Sequence, residues 1–223
     1  MSKPEAFWDR SAANYDKTEE RFEHIHHTSR EAAKRHLKSS DKVLDYGCGT
    51  GTTACELAGC VDEILGIDIS GRMIELSKEK AAAAGVGNVT FERGDIFDSE
   101  YDDGSFDVVL AFNMLHTVPD PGQVVRRVHD LLQPDGLFIS VTPCLRDKMS
   151  LLVQLQIQLV CVLGRIGIIP VPIRRLRTAD LSDLITSQPF SAVETTEIYA
   201  GATSYLAVVR KQDVPTAGTD LEA

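Results

Sequence analysis

Lys42-Val43-Leu44-Asp45-Tyr46-Gly47-Cys48-Gly49-Thr50-Gly51 decides how the rest of the chain is read. Val43 and Leu44 are apolar and run into a glycine-rich turn, as a buried parallel strand does where it hands over to a helix. Gly47, Gly49 and Gly51 release φ and let a ligand come close to the backbone. Residues 52–58 then read as the helix, its unpaired N–H groups aimed back at the turn. Such a turn suits the polar edge of a nucleoside-containing cofactor. The dinucleotide fingerprint is G-x-G-x-x-G, whereas these glycines fall as G-x-G-x-G behind an acid, Asp45. A glycine triplet alone fits many tight turns, so the flanking segments have to decide.

Downstream the pattern alternates. Residues 63–69 are an apolar run containing the acid Asp68, followed by Ser70 as an N-cap and a helix over 72–84 that Gly85 ends. Residues 88–95 read as a third strand ending in Asp95, and 105–113 as a fourth ending in Asn113. A helix over 121–132 carries Val124, Val125, Val128, Leu131 and Leu132 on one side and is closed by Pro134-Asp135-Gly136; residues 137–142 are the fifth strand. Strands alternating with helices predict an α/β fold with a doubly wound parallel sheet, and ligands at the carboxyl ends of its strands. Asp68, Asp95 and Asn113 all fall at those ends. Two further runs, 193–199 and 204–210, predict an antiparallel hairpin.

Upstream, residues 5–39 read as helical. Phe7, Trp8, Ala12 and Tyr15 form an apolar stripe, and 19–37 is charged with few breakers, predicting a longer surface helix with His24, His26 and His27 on a solvated face. Residues 145–177 break the rhythm. An apolar stretch from 149 to 173 is interrupted by Gln154, Gln156, Gln158 and Arg165 and followed by Arg174-Arg175-Leu176-Arg177. Its polar interruptions argue against a membrane span. An interfacial helix, a lid over an apolar substrate and packing on the sheet edge all fit it. Thr178 caps the next helix. One domain over 1–211 is expected, with a disordered tail at 212–223.

The formal net charge is −10. A surface that repels phosphates argues against broad nucleic-acid binding. Five cysteines, an odd number with no C-x-x-C pair, fit free thiols in a reducing compartment. The first residues lack a secretory pattern, so the cytoplasm is the expected location.

With Asp45, Gly47, Gly49 and Gly51 in place, the chain resembles the class I S-adenosylmethionine-dependent methyltransferases, whose first motif is D-x-G-x-G-x-G. The resemblance covers about residues 5–210. It implies a Rossmann-like seven-stranded sheet of five parallel strands and a closing hairpin, with helices on both faces. It also implies S-adenosylmethionine as cofactor and S-adenosylhomocysteine as product. The glycine turn, Cys48 included, would lie against the amino-acid half of the cofactor. Asp68, followed by Ile69, would accept hydrogen bonds from both ribose hydroxyls, since a carboxylate offers two oxygens to a vicinal diol. Met73 would pack on the adenine, with Asp95 and Ile96 beside its amino group. Asn113 to His116 would line the sulfonium side. Trp8 and Tyr15 resemble the amino-terminal lid of the small-molecule members, where the tyrosine closes over the cofactor. His116 is the candidate general base, because a histidine titrates near neutrality; a structural histidine is the other reading.

Residues 113–116 read Asn-Met-Leu-His, not the Asn/Asp-Pro-Pro-aromatic element of base-amine methyltransferases. No acidic ligand set for a catechol-type metal and no cysteine set for arsenic chemistry can be assembled. The expectation is a small, apolar organic acceptor of the quinone, sterol or natural-product kind, with 151–177 a candidate for peripheral membrane contact. A non-catalytic cofactor-binding or membrane-peripheral module stays open. So does a nicotinamide-dependent reductase, which the glycine spacing and the lack of a Tyr-x-x-x-Lys pair disfavour.

Overall fold

A computed structural model describes residues 2–212; the expected tail lies, but for Gln212, outside the described residues. Among the described residues seven strands form one sheet: β1 (Lys42–Tyr46), β2 (Glu63–Asp68), β3 (Val89–Arg93), β4 (Phe106–Phe112), β5 (Leu132–Pro143), β6 (Phe190–Tyr199) and β7 (Thr203–Lys211). Their order is β3-β2-β1-β4-β5-β7-β6. The first five are parallel, and β7 enters antiparallel between β5 and β6. The chain moves outward from β1 through β2 to β3, then crosses back to β4. That reversal opens a crevice above the carboxyl ends of β1 and β4, where doubly wound sheets bind ligands.

Strand alternation builds a core on each face of the sheet. Leu44, Tyr46, Val109, Ala111 and Phe138 belong to one cluster, with α6 (Pro121–Leu131) and α8 (Thr178–Thr186). Val43, Val108, Leu110, Ile139 and Val141 belong to the other, with α3 (Glu23–His36), α4 (Thr52–Leu57) and α5 (Gly71–Ala84). The caps follow the sequence signals. The Ser70 hydroxyl accepts from the Met73 N–H, and Gly85 ends α5 in the left-handed region.

Four expectations are corrected. The segment 19–37 is not one surface helix: a 3-10 turn at Glu20–Phe22 interrupts it, and α3 buries Ile25, Ser29, Arg30, Ala32 and Ala33. Ile25, Ser29 and Ala32 stand at i, i+4 and i+7 with Arg30 and Ala33 beside them, an inward face that hydropathy does not reveal because most of it is serine, alanine and arginine. Arg30 is tolerated inside because Glu23 (2.6 Å) and Glu56 (2.7 Å) pair with it. Pro134-Asp135-Gly136 does not follow α6 as a separate stop. The helix ends at Leu131, and the triplet forms a bulge within β5, with Asp135 at φ 62° and the register jumping from Phe106–Leu132 to Val108–Leu137. The cap of α8 is at Arg177 and not Thr178, whose N–H and hydroxyl donate to Asp147 Oδ2 (2.7 and 2.9 Å). Finally, of the three readings open for 149–173, burial against the sheet edge is set aside: no residue of α7 (Leu151–Arg165) is buried, and Val153, Ile157 and Val160 are only half-buried.

Gly51 is needed for packing. It has φ 76°, and a Cβ there would meet Phe91 Cζ at 2.6 Å and Ser77 Cβ at 2.8 Å. Backbone strain and a clash against a buried ring add together. Gly51→Ala should destabilise the fold by about 2–3 kcal/mol, read as a lower urea midpoint at unchanged slope. An unchanged midpoint would mean that α4 and Phe91 shift freely.

Candidate cofactor site

Two neighbouring cavities of about 510 and 370 Å³ lie above the carboxyl ends of the strands. Tyr15, Gly47, Phe112 and Asn113 border both. Trp8, Gly49, Asp68, Ile69, Met73 and Asp95 line the larger one, and Asp45 and Cys48 the smaller. Segments more than a hundred residues apart in sequence therefore meet around one crevice.

Asp68 closes β2 and is held by the chain it faces. Its Oδ1 accepts from the Ser70 N–H (2.8 Å) and its Oδ2 from the Gly49 N–H (3.1 Å). Burial raises its pKa to about 6, against those two backbone bonds. Each oxygen keeps acceptor capacity for a ligand hydroxyl. Asp45, 2% exposed, has an Oδ2 with no hydrogen-bond partner, and burial with the nearby Asp68 charge raises its pKa to about 7. A buried carboxylate beside a cavity and without a partner calls for a cation or donor from a ligand. Gly47 matters for approach, since a Cβ there would meet Met114 Sδ at 2.8 Å. Asn113 bends the chain after β4 at φ 55°, a conformation asparagine tolerates better than most residues.

The amino-terminal helices form the roof. Ser2 and Glu5 make a capping box on α1 (Lys3–Ala12). Asp9 Oδ1 accepts from the Ser70 hydroxyl (2.6 Å) and the Arg72 N–H (3.2 Å), and Glu5 pairs with Arg93 (2.6 Å). On α2 (Tyr15–Glu19), Asp16 pairs with Lys80 (2.8 Å) and accepts from the Thr50 hydroxyl. These contacts hold Tyr15 over Gly49, its ring 3.4 Å from where a Cβ would stand.

Three predicted site residues are not brought into the crevice. Ile96 is fully buried in the core, and Gly51 and Ile96 border neither cavity. His116 also stands away from both. Its Nδ1 is buried without a partner, and burial lowers its pKa to about 4. The ring is therefore neutral at pH 7 and lines neither cavity, which weighs against it as the candidate base. In the other direction, sequence reasoning missed Phe97 and Thr117, which line the larger cavity beside Met114, from the segment expected on the sulfonium side, and Val171 and Pro172, from the candidate substrate lid. Val171 and Pro172 arrive because the Arg174 N–H donates to the His116 carbonyl (2.8 Å) and its Nε to the Val118 carbonyl (3.1 Å). No sequence pattern announces that tie.

Sheet order, glycine turn and paired carboxylates define an α/β domain built to hold a nucleoside cofactor. The chain belongs to the methyltransferase-domain family, whose profile matches residues 37–168. It is 36% identical over 132 residues to 27-O-demethylrifamycin SV methyltransferase of Amycolatopsis mediterranei, covering 58% of this chain and 47% of that protein. It is 30% identical over 140 residues to the demethylmenaquinone methyltransferase of Geobacillus kaustophilus, covering 60% of each. The chain thus spans about half to three-fifths of those relatives' lengths. The YcgJ protein of Bacillus subtilis shares the fold, with a TM-score of 0.67 at 19% identity over 84% of this chain and all of that one. The cofactor of this family is S-adenosylmethionine, and the unpartnered Asp45 oxygen and the open Gly47 cradle fit its charged amino-acid end.

Proposed function

We infer that the chain is an S-adenosylmethionine-dependent methyltransferase acting on a small, apolar organic acceptor. The observation that carries this reading is a buried and a half-buried carboxylate, Asp45 and Asp68, on one crevice. Asp68 suits the ribose diol and Asp45 the ammonium end, with Tyr15 over the glycine turn between them. Met73 and Asp95 suit the adenine. The chemistry such a cofactor supplies is a methyl group already activated on a sulfonium.

The chain's own part is positioning, which is worth up to ~7–11 kcal/mol in well-oriented reactions. Asn113 and Met114 stand where the larger cavity passes from carboxylates to the apolar walls of Val118, Val171 and Pro172. Those walls favour an apolar acceptor and exclude water. Asp120, at the same end, is spent on capping α6, accepting from the Gly122 N–H (2.9 Å) and the Gln123 N–H (3.1 Å). With His116 lining neither cavity, this site suits an acceptor nucleophilic enough to react without a protein base. Relatives named for a menaquinone precursor and a rifamycin point to acceptors of that size. Five free thiols fit a cytoplasmic setting. Among the described residues no helix is long and apolar enough to cross a membrane.

Calorimetry with S-adenosylhomocysteine and NADH tests the cofactor assignment. Micromolar binding of the sulfur nucleoside without NADH binding is expected, and labelled-methyl transfer to quinone-like and polyketide acceptors is the next readout. Binding of NADH alone, or of neither, would overturn it.

A further inference from the structure

Helix α7 presents an apolar stripe that no other described residue covers. Leu151, Leu155, Leu159, Val162 and Ile166 recur at steps of three and four residues and lie between 51% and 79% exposed. Leu152 and Ile168 widen the stripe on either side, at 68% and 59%. Soluble monomers rarely leave a contiguous apolar face of this kind open, and one rimmed by polar groups marks an interaction site. No Asp, Glu, Lys or Arg occurs between Lys148 and Arg165.

Charge around the stripe runs against the rest of the molecule. Residues 146–177 carry six cations (Arg146, Lys148, Arg165, Arg174, Arg175 and Arg177) against one acid, Asp147, in a chain of net charge −10. Arg174, Arg175 and Arg177 are exposed. The base of this cluster is anchored, since Arg175 Nε donates to the Leu145 carbonyl (3.3 Å) and Arg174 to the Val118 carbonyl.

We propose that α7 and its basic flank are an interfacial docking surface for an anionic lipid bilayer. The helix has 15 residues, about 22 Å at ~1.5 Å per residue, and the hydrocarbon layer is ~30 Å thick. It lies in the interface plane and does not cross. Apolar side chains enter the acyl boundary while the cations meet the headgroups, the division of labour of interfacial helices. Each cation near an anionic surface strengthens binding about fivefold. The acidic remainder is repelled, so the molecule settles with this face down. A second copy of the chain is the poorer occupant, because a symmetric pairing would oppose two basic clusters. Val171 and Pro172, a few residues past the helix, wall the larger cavity, so an acceptor dissolved in the bilayer has a short apolar route inward. The docking itself does not rest on the methyl-transfer reading.

The test is sedimentation of the full chain with vesicles of phosphatidylcholine alone or mixed with phosphatidylglycerol. The expected result is binding to the mixed vesicles that weakens as salt is raised. Leu155→Glu with Leu159→Glu should lower partitioning at least ~10-fold on both vesicle types. Arg165→Gln with Arg177→Gln should lower it ~25-fold on mixed vesicles and leave the phosphatidylcholine value unchanged. Melting curves should stay native in both variants, and the vesicle readout needs no cofactor, so it stands whatever calorimetry returns. No vesicle binding by the natural chain, or binding indifferent to both variants, would overturn the proposal. So would a dimer that dissolves on Leu155→Glu with Leu159→Glu in a chain that ignores vesicles.

Discussion

Asp68→Ala lowers the affinity for S-adenosylhomocysteine by at least ~100-fold while leaving the fold standing. Hydrogen bonds to a charged acceptor contribute about 1.5–3 kcal/mol each, and a vicinal diol forms two with one carboxylate. Losing both removes about 3–6 kcal/mol, two or more powers of ten in Kd. The fold survives because two effects oppose one another. The Ser70 and Gly49 N–H groups lose their acceptor, but a carboxylate that burial holds at a pKa of about 6 also leaves the interior. Asp68→Asn sharpens the result. It keeps the volume and one carbonyl acceptor, yet turns an amide toward an N–H donor, so affinity should fall nearly as far. Calorimetry and a melting curve on both variants decide it. Native melting with undiminished affinity would remove Asp68 from the ribose role.

Asp45→Asn is expected to move stability and binding in opposite directions. An acid whose pKa is raised by folding weakens the fold as pH rises between its unfolded and folded values. Well below pH 3.9 both states hold the proton. Above that the unfolded chain releases it near 3.9, while the folded chain keeps it until about 7. Beyond pH 7 the full cost is present, about 2–4 kcal/mol for a shift of this size. Asparagine carries no such cost. The variant should melt several degrees higher than the natural chain at pH 8, with the gap closing toward pH 4.

Its cofactor affinity should fall about 10–100-fold at pH 8, because the ammonium end loses its counter-charge. In the natural chain affinity should also drop as pH falls below 7, since the Asp45 carboxyl must then release its proton to pair; in Asp45→Asn that slope should vanish. An α-amino group titrates near 7.7–8.0, so pairing is strongest between pH 7 and 8. A pH-independent affinity in the natural chain would place the ammonium elsewhere.

Much of this was legible without coordinates, and for one reason. The glycine turn, the Ser70 cap, the Gly85 stop and the strand-end acids are set by interactions within a few residues, where φ, hydrogen bonding and periodicity act locally. Asp45, Gly47, Gly49, Asp68, Met73 and Asp95 border the cavities because the βα rhythm places strand ends together. Tyr15 and Trp8 were visible as an apolar stripe and, through the family resemblance, as a lid; what holds that stripe in place as a roof is a set of acids, Glu5, Asp9 and Asp16, reaching Arg93, Ser70, Thr50 and Lys80.

What the chain order could not settle is which side of an element ends up inside. Ile96 and His116 sit next to cavity-lining neighbours in sequence, yet neither lines a cavity, because side-chain placement after a strand depends on a turn closed by distant partners. Gly51 looked like part of a ligand cradle and proved to be a packing contact with Phe91 and Ser77, residues 26 and more positions away. The same holds for α7. Its apolar composition was plain from the sequence and fitted lid, core and interface alike. Only the tertiary structure, by filling both faces of the sheet with other helices, left that stripe pointing outward. Local chemistry chose the elements and the ligand's polar contacts; burial, which depends on residues far apart in the chain, chose the acceptor walls and the free face.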